Sequence, residues 1–171
     1  MENNLELRLD PTKLEPWAKS MVLFLFPYPE KLQKYNSLDN KPVISAYAKG
    51  LDYHTSIRTL IAECKQELLK VNESIKLRPF VDSAPIFERD WALLAGLGWV
   101  GKNACLINKK IGSSFFIGGF LLDEDLPSSL KAAQDFCGKC TLCIDACPTD
   151  AIEQPYHCLL YTSPSPRDSD S

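Results

Sequence analysis

The chain has 171 residues, is 45% hydrophobic and 24% charged, and carries a formal net charge of −3. With 8 glycines and 12 prolines it is neither collagen-like nor wholly disordered, and its apolar content suffices for one ordinary domain with room for a small appendage. The mild acidity supplies no basic footprint of the kind nucleic-acid-binding domains show, so any contact with RNA is not written in the net charge.

At the N-terminus, residues 1–10 are acidic and lack the basic and apolar regions of a secretory signal, which predicts a cytoplasmic protein with reduced thiols. The longest apolar stretch, residues 21–26, falls far short of the roughly 20 needed to cross a bilayer, so no membrane partner is expected. Residues 22–26 form a continuous apolar run closed by Pro27 and Pro29, which reads as a buried central strand. In residues 52–71, Ile57, Leu60, Ile61, Cys64, Leu68 and Val71 recur at three- and four-residue steps between charged positions, the pattern of an amphipathic helix. A short strand is expected at 79–81, a helix at 86–95, and strands at 104–107 and 115–122. Strands alternating with helices define an α/β layer.

Gly96, Gly98 and Gly101 match the spacing of a dinucleotide fingerprint, but a helix precedes them and a strand follows, the reverse of the order that motif requires. Asn103 stands where a phosphate-binding loop needs Ser or Thr. The glycines are expected to make a tight helix-to-strand turn that lets a ligand or a backbone come close. Beyond Pro127 a helix over 129–136 should lead into a small second module.

That module carries Cys137, Cys140, Cys143 and Cys147, followed by Pro148, the spacing of bacterial ferredoxin runs that hold 4Fe-4S clusters. Zinc, which also uses pairs of cysteines two residues apart, is the alternative. In two-cluster ferredoxins each run gives three thiolates to one cluster and the fourth to the other, so both clusters lack ligands here and a partner run is missing. Cys158 is the nearest candidate, while Cys64 and Cys105, on an apolar helix stripe and in an apolar strand, read as core residues. Residues 161–171 form a Ser/Pro/Asp tract that cannot fold by burial, so 159–171 is expected to be a disordered or non-native tail.

Three segments, ISAYAKGLDYH (44–54), RPFVDSAPIFERDWALLAGLGWVGKNACLI (78–107) and CGKCTLCIDACPTDAI (137–152), together closely resemble the epoxyqueuosine reductase family. The resemblance implies a cobalamin-binding, nitroreductase-like α/β domain over residues 1–128. It is followed over 129–158 by the first half of a two-cluster ferredoxin module. Electrons would pass from clusters to cobalt, an epoxide on tRNA would be reduced to an alkene, and a flavodoxin, or a ferredoxin with its reductase, would supply a monomeric enzyme. Family members continue with a second cysteine run and helical repeats that this chain does not show.

The resemblance makes Asp82 the proton donor. That role needs a carboxyl kept protonated, and Phe80, Val81, Pro85 and Ile86 are the apolar neighbours expected to do it. Read without the family, an Asp before Ser is a helix cap or a turn residue. Cofactor contacts would come from Tyr53 and His54, whose bland roles are capping and packing, from Ser83, and from Lys102 and Asn103, otherwise a solvated pair. Lys102 and Asn103 could reach corrinoid amides or anticodon phosphates. Two competing functions remain: a corrinoid reductive dehalogenase, usually exported behind a twin-arginine signal, and a non-catalytic iron–sulfur electron carrier.

Overall fold

The structure is a computed structural model that describes residues 5–28, 45–82, 84–128 and 134–158. In chain order its elements are helices α1 (Leu5–Leu9) and α2 (Pro11–Leu14), strand β1 (Ser20–Pro27), a 3₁₀ turn (Ala46–Ala48), α3 (Tyr53–Val71), β2 (Leu77–Val81), α4 (Glu88–Leu94), β3 (Trp99–Val100), β4 (Leu106–Ile107), β5 (Phe115–Leu122) and α5 (Leu142–Asp145). The expected helices and strands of the first 122 residues are present, and the fold is mixed α/β.

The main sheet runs β1-β5-β2, with both pairings antiparallel. The run at 22–26 therefore lies on an edge strand of the described sheet, and β5 takes the middle. Alternation along the strands sorts side chains to two faces. Val22, Phe24, Phe26, Val81, Phe120 and Leu122 pack with Ile57 and Ile61 of α3. Phe80 and Leu121, with Met21 and Leu23, face Trp17, Ile86 and Trp91 on the other side. Because both faces are covered, the strands read as unbroken apolar runs even though the sheet is antiparallel. An Arg78–Glu15 ion pair ties the N-terminal segment to β2.

Asp52 caps α3, its carboxylate accepting the His54 amide at 2.9 Å. The buried stripe of this helix is narrower than its apolar stripe: Ile57 and Ile61 are in the core, whereas Leu60, Val71 and Cys64 are exposed. Cys105 also lies outside the core, exposed and one residue ahead of β4. Both cysteines expected in the interior are thus at the surface.

The glycine turn behaves as expected. Leu97 N–H reaches Ala92 O and Gly96 N–H reaches Leu93 O, both at 3.0 Å, with Gly96 at φ +75°, a left-handed close to α4 that favours glycine. A Cβ on Gly98 would stand 2.2 Å from the Ile107 carbonyl oxygen, so it is backbone that comes close.

Of the helix expected over 129–136, residues 134–136 are irregular and 129–133 lie outside the described residues, as do Ser83 and the tail from 159. Phe136 instead turns its ring onto Trp99, with centroids 5.0 Å apart. Among the described residues no helix is long and apolar enough to cross a membrane.

Candidate functional site

Asp82 follows the last residue of β2 and sits at φ +52°, a left-handed backbone that Asp tolerates better than most residues. The turn swings its side chain away from buried Phe80 and Val81 into an open cleft of about 510 Å³ lined also by Arg8, Tyr53, Phe87, Glu88 and Phe116. The carboxyl is 64% exposed, so the apolar shell expected from its sequence neighbours does not surround it.

The start of α3 brings Tyr53 and His54 to this group. Tyr53 donates its hydroxyl to Asp82 Oδ2 at 2.8 Å, and His54 Nε2 lies 3.2 Å from the same oxygen. Tyr53 is stacked between His54 and Phe116, with ring centroids 4.1 and 4.0 Å away. Burial, reinforced by the bond to Asp82, pushes its phenol up to about 12, so it stays a hydrogen-bond donor at neutral pH.

His54 is flanked by two carboxylates, because its Nδ1 lies 2.9 Å from Asp52 Oδ1. A neutral ring can donate to only one of them, whereas an imidazolium satisfies both. The Asp52 bond accordingly raises His54, and the same bond lowers Asp52. The result is a line Asp52, His54, Asp82 able to hold a proton at the end facing the cleft.

Sequence reasoning missed Glu88, the first residue of α4. Its carboxylate accepts the Asp82 amide at 2.7 Å and so braces the left-handed turn. Burial pushes Glu88 up to about 7, making it, rather than Asp82, the desolvated acid of the cleft. No spacing signal marks it, since the pair stands six positions apart in the chain. Asp52 also went unread, although an Asp directly ahead of an apolar-periodic run is a capping signal that could have found it.

One consequence is measurable by NMR. The Asp82 amide proton should shift with pH with a midpoint near 7, as Glu88 titrates, and Glu88→Gln should abolish the transition. An amide insensitive to pH over that range would show the bond is not made. The sign for stability follows from the raised pKa. The neutral acid favours the fold, so the contribution is full below the ordinary glutamate value of 4.5 and is lost as pH rises through about 7.

The remaining site residues lie elsewhere. Asn103 accepts the Cys105 amide at 3.2 Å and lines a second cavity, of about 260 Å³, with Arg89, Cys105 and Cys158. Burial raises the Cys105 thiol, and the nearby Cys158 and Cys143 sulfurs add to the shift. Lys102 points neither into this cavity nor into the Asp82 cleft: its ammonium donates to the carbonyls of Gly138 and Cys140 at 2.7 and 2.8 Å.

In the cysteine module, the Cys140 amide closes a turn on Cys137 O at 2.8 Å, Cys143 sits on α5, and Cys147 follows that helical turn. Backbone amides of Thr149, Ile152 and Ala151 bond to the Cys147 sulfur and lower its thiol pKa, favouring the thiolate that binds iron. Among the described residues no three Cys, His, Asp or Glu side chains converge as on a single metal ion.

An α/β fold with an acid at a strand end, followed by a four-cysteine run, is the arrangement of an iron–sulfur protein. Residues 8–83 match the family described as epoxyqueuosine reductase QueG, DUF1730, and residues 133–153 match the 4Fe-4S binding domain. An epoxyqueuosine reductase of Leadbetterella byssophila is 49% identical over 158 residues, covering 91% of this chain and 50% of the relative. That of Cyclobacterium marinum is 45% identical over 154 residues, covering 90% and 49%.

Among solved structures, epoxyqueuosine reductase with an epoxyqueuosine-modified tRNA-Tyr stem loop superposes with a TM-score of 0.76 at 28% identity, over 92% of this chain and 42% of that one. The Bacillus subtilis enzyme, captured with its catalytic aspartate loop swung out of the active site, gives 0.76 at 26% identity over the same shares. The chain is thus similar to epoxyqueuosine reductases over about nine-tenths of its own length and spans about half the length of the curated relatives it matches.

Proposed function

We propose that the protein reduces epoxyqueuosine in tRNA to queuosine, with Asp82 delivering a proton to the epoxide oxygen. The observation that carries this reading is the convergence of Tyr53 and His54 on one oxygen of Asp82 in an open cleft. The Bacillus subtilis relative supports it, because an aspartate on a movable loop is what that structure displays, and Asp82 stands on a left-handed turn held by single hydrogen bonds.

The conversion takes up two electrons and two protons, breaks both carbon–oxygen bonds of the epoxide and releases water. Asp82 protonates the oxygen as the ring opens, and His54, held between two carboxylates, returns a proton to Asp82. Tyr53 keeps the Asp82 carboxyl aimed into the cleft by donating to it. Glu88 fixes the backbone from which that carboxyl projects.

Cobalamin fits these residues. A groove of about 580 Å³ lined by Leu25, Tyr28, Tyr47, Leu51 and Leu60 shares Tyr53 and Phe116 with the Asp82 cleft, so an apolar surface adjoins the acid. Tyr53, His54 and Ser83 would hold the cofactor, which supplies low-valent cobalt, a strong nucleophile and reductant. Asn103 is a further candidate contact, and the engagement of Lys102 with the cysteine loop argues for a different role for that residue. Within the reading, residues 1–128 form the catalytic domain and 129–158 an iron–sulfur module serving it. Two clusters, a flavodoxin or ferredoxin donor, a monomeric state and a cytoplasmic setting complete it.

The test has two arms. Titration of the folded chain with cob(II)alamin, followed by absorbance and electron paramagnetic resonance, should show stoichiometric binding. A chain that folds and does not bind would overturn the cofactor assignment. Reaction of the protein extended to the relatives' length with modified tRNA should then give queuosine by mass spectrometry of digests, and persistence of epoxyqueuosine alone would overturn the activity.

A further inference from the structure

Lys102 joins the α/β domain to the cysteine module. It lies in the turn between β3 and β4, and both ends of it are occupied across the seam of the two. Its side-chain ammonium donates to Gly138 O and Cys140 O, the carbonyls inside the first cysteine turn. Its own backbone oxygen accepts the Tyr156 amide at 2.8 Å.

Tyr156 then closes a ring. Its hydroxyl donates to Asp135 Oδ2, and Asp135 Oδ1 accepts the Cys137 amide at 2.7 Å. Asp135 is held low by these two bonds, with the Lys102 charge contributing. Phe136, between Asp135 and Cys137, packs its ring on Trp99 and lies under the Lys109 ammonium at 5.3 Å. The turn bearing Cys137 and Cys140 is therefore fastened to Trp99 of β3 through Phe136 and to Lys102 just after that strand.

We propose that Lys102 is a positioning residue that seats the Cys137–Cys140 turn on the α/β domain and places a fixed positive charge beside whatever metal cluster that turn binds. The second half of this statement rests on the 4Fe-4S reading of the cysteines, and the first half does not. A cation near an iron–sulfur cluster favours its reduced state, since reduction adds negative charge, so the same contact that aligns the turn also eases electron entry. Charge and alignment are read by different measurements on one pair of variants. Methionine, one atom shorter than lysine, loses both donor and charge, and arginine keeps both.

Hydrogen exchange on the metal-free chain reads the alignment. Lys102→Met should speed exchange of the Cys137 and Cys140 amides about tenfold, the effect of losing two bonds that hold the turn, while amides of β5 keep their rates. Lys102→Arg should stay near wild type. Tyr156→Phe, which cuts the ring at Asp135 and leaves the ammonium in place, should loosen Cys137 more than Cys140.

After anaerobic reconstitution, the cluster of Lys102→Met should show a more negative midpoint potential than wild type, and Lys102→Arg should not. Unchanged exchange in Lys102→Met, with the β5 amides confirming that it folds, overturns the positioning role. Equal potentials in wild type and Lys102→Met overturn the electrostatic role. A wild-type chain that assembles no 4Fe-4S signal would fault the cluster reading, and the exchange arm would still decide the positioning role.

Discussion

Asp82→Asn will cut queuosine formation by about 10²-fold or more while leaving cobalamin and tRNA binding near wild type, the range typical of losing a general acid. Asparagine suits the comparison on structural grounds. It tolerates the left-handed region that Asp82 occupies at φ +52°, and its amide oxygen can still accept the Tyr53 hydroxyl. The turn and the Glu88 brace are preserved, and only the transferable proton is removed. The measurement is mass spectrometry of tRNA digests from the protein extended to the relatives' length, alongside binding titrations. Near wild-type turnover would reduce Asp82 to a turn residue and send the search for a proton to Glu88, the desolvated acid next to it.

Gly119→Ala will destabilise the fold by about 3 kcal/mol or more, at the upper end of overpacking costs, and will lower the melting temperature by roughly 10 °C. A Cβ at this position would lie 2.0 Å from Val22 O and 2.9 Å from the Phe80 ring. The first of these is backbone of the neighbouring strand, so relief requires β1 and β5 to part rather than a rotamer to turn. Gly50 is the control, because a Cβ there meets nothing within 4 Å, and Gly50→Ala should be neutral or slightly stabilising. Thermal unfolding of the two variants side by side checks the difference, and equal melting temperatures would show that the β1–β5 contact yields easily.

Local pattern located most elements, and three-dimensional context decided what they do. The strand at 115–122 and the long helix α3 fall where periodicity puts them. The run at 22–26 misleads because continuous apolarity reports coverage of both faces, not a place in the middle of the sheet. Cys64 misleads because the α3 stripe is covered only in part: Ile57 and Ile61 are buried and Leu68 packs on the same cluster, while Cys64 stays exposed.

At the site, the expected desolvation of Asp82 rested on its neighbours in the chain, yet a left-handed turn points consecutive side chains to different places. Phe80 and Val81 enter the sheet while Asp82 leaves it. The group that does meet burial, Glu88, arrives from the next helix, and nothing in a one-dimensional pattern marks such a meeting. Lys102 is the same case on a longer scale: its partners lie 36 and 38 residues away.

The place of β5 between β1 and β2 has a consequence for how the chain comes into being. Neither outer strand pairs with the other, so as the polypeptide emerges from a ribosome β1 and β2 both wait, apolar and unpaired, until residues 115–122 are made. The loops that must then close are long, which slows pairing, and exposed strand edges invite association with other chains in the interval. Tyr53 and Asp82 are both synthesised well before that moment, but the sheet that holds them in one cleft is not. The acid site is thus assembled by β5, the last strand of the described sheet, and the cysteine run, emerging next, meets a partner surface that has only just formed.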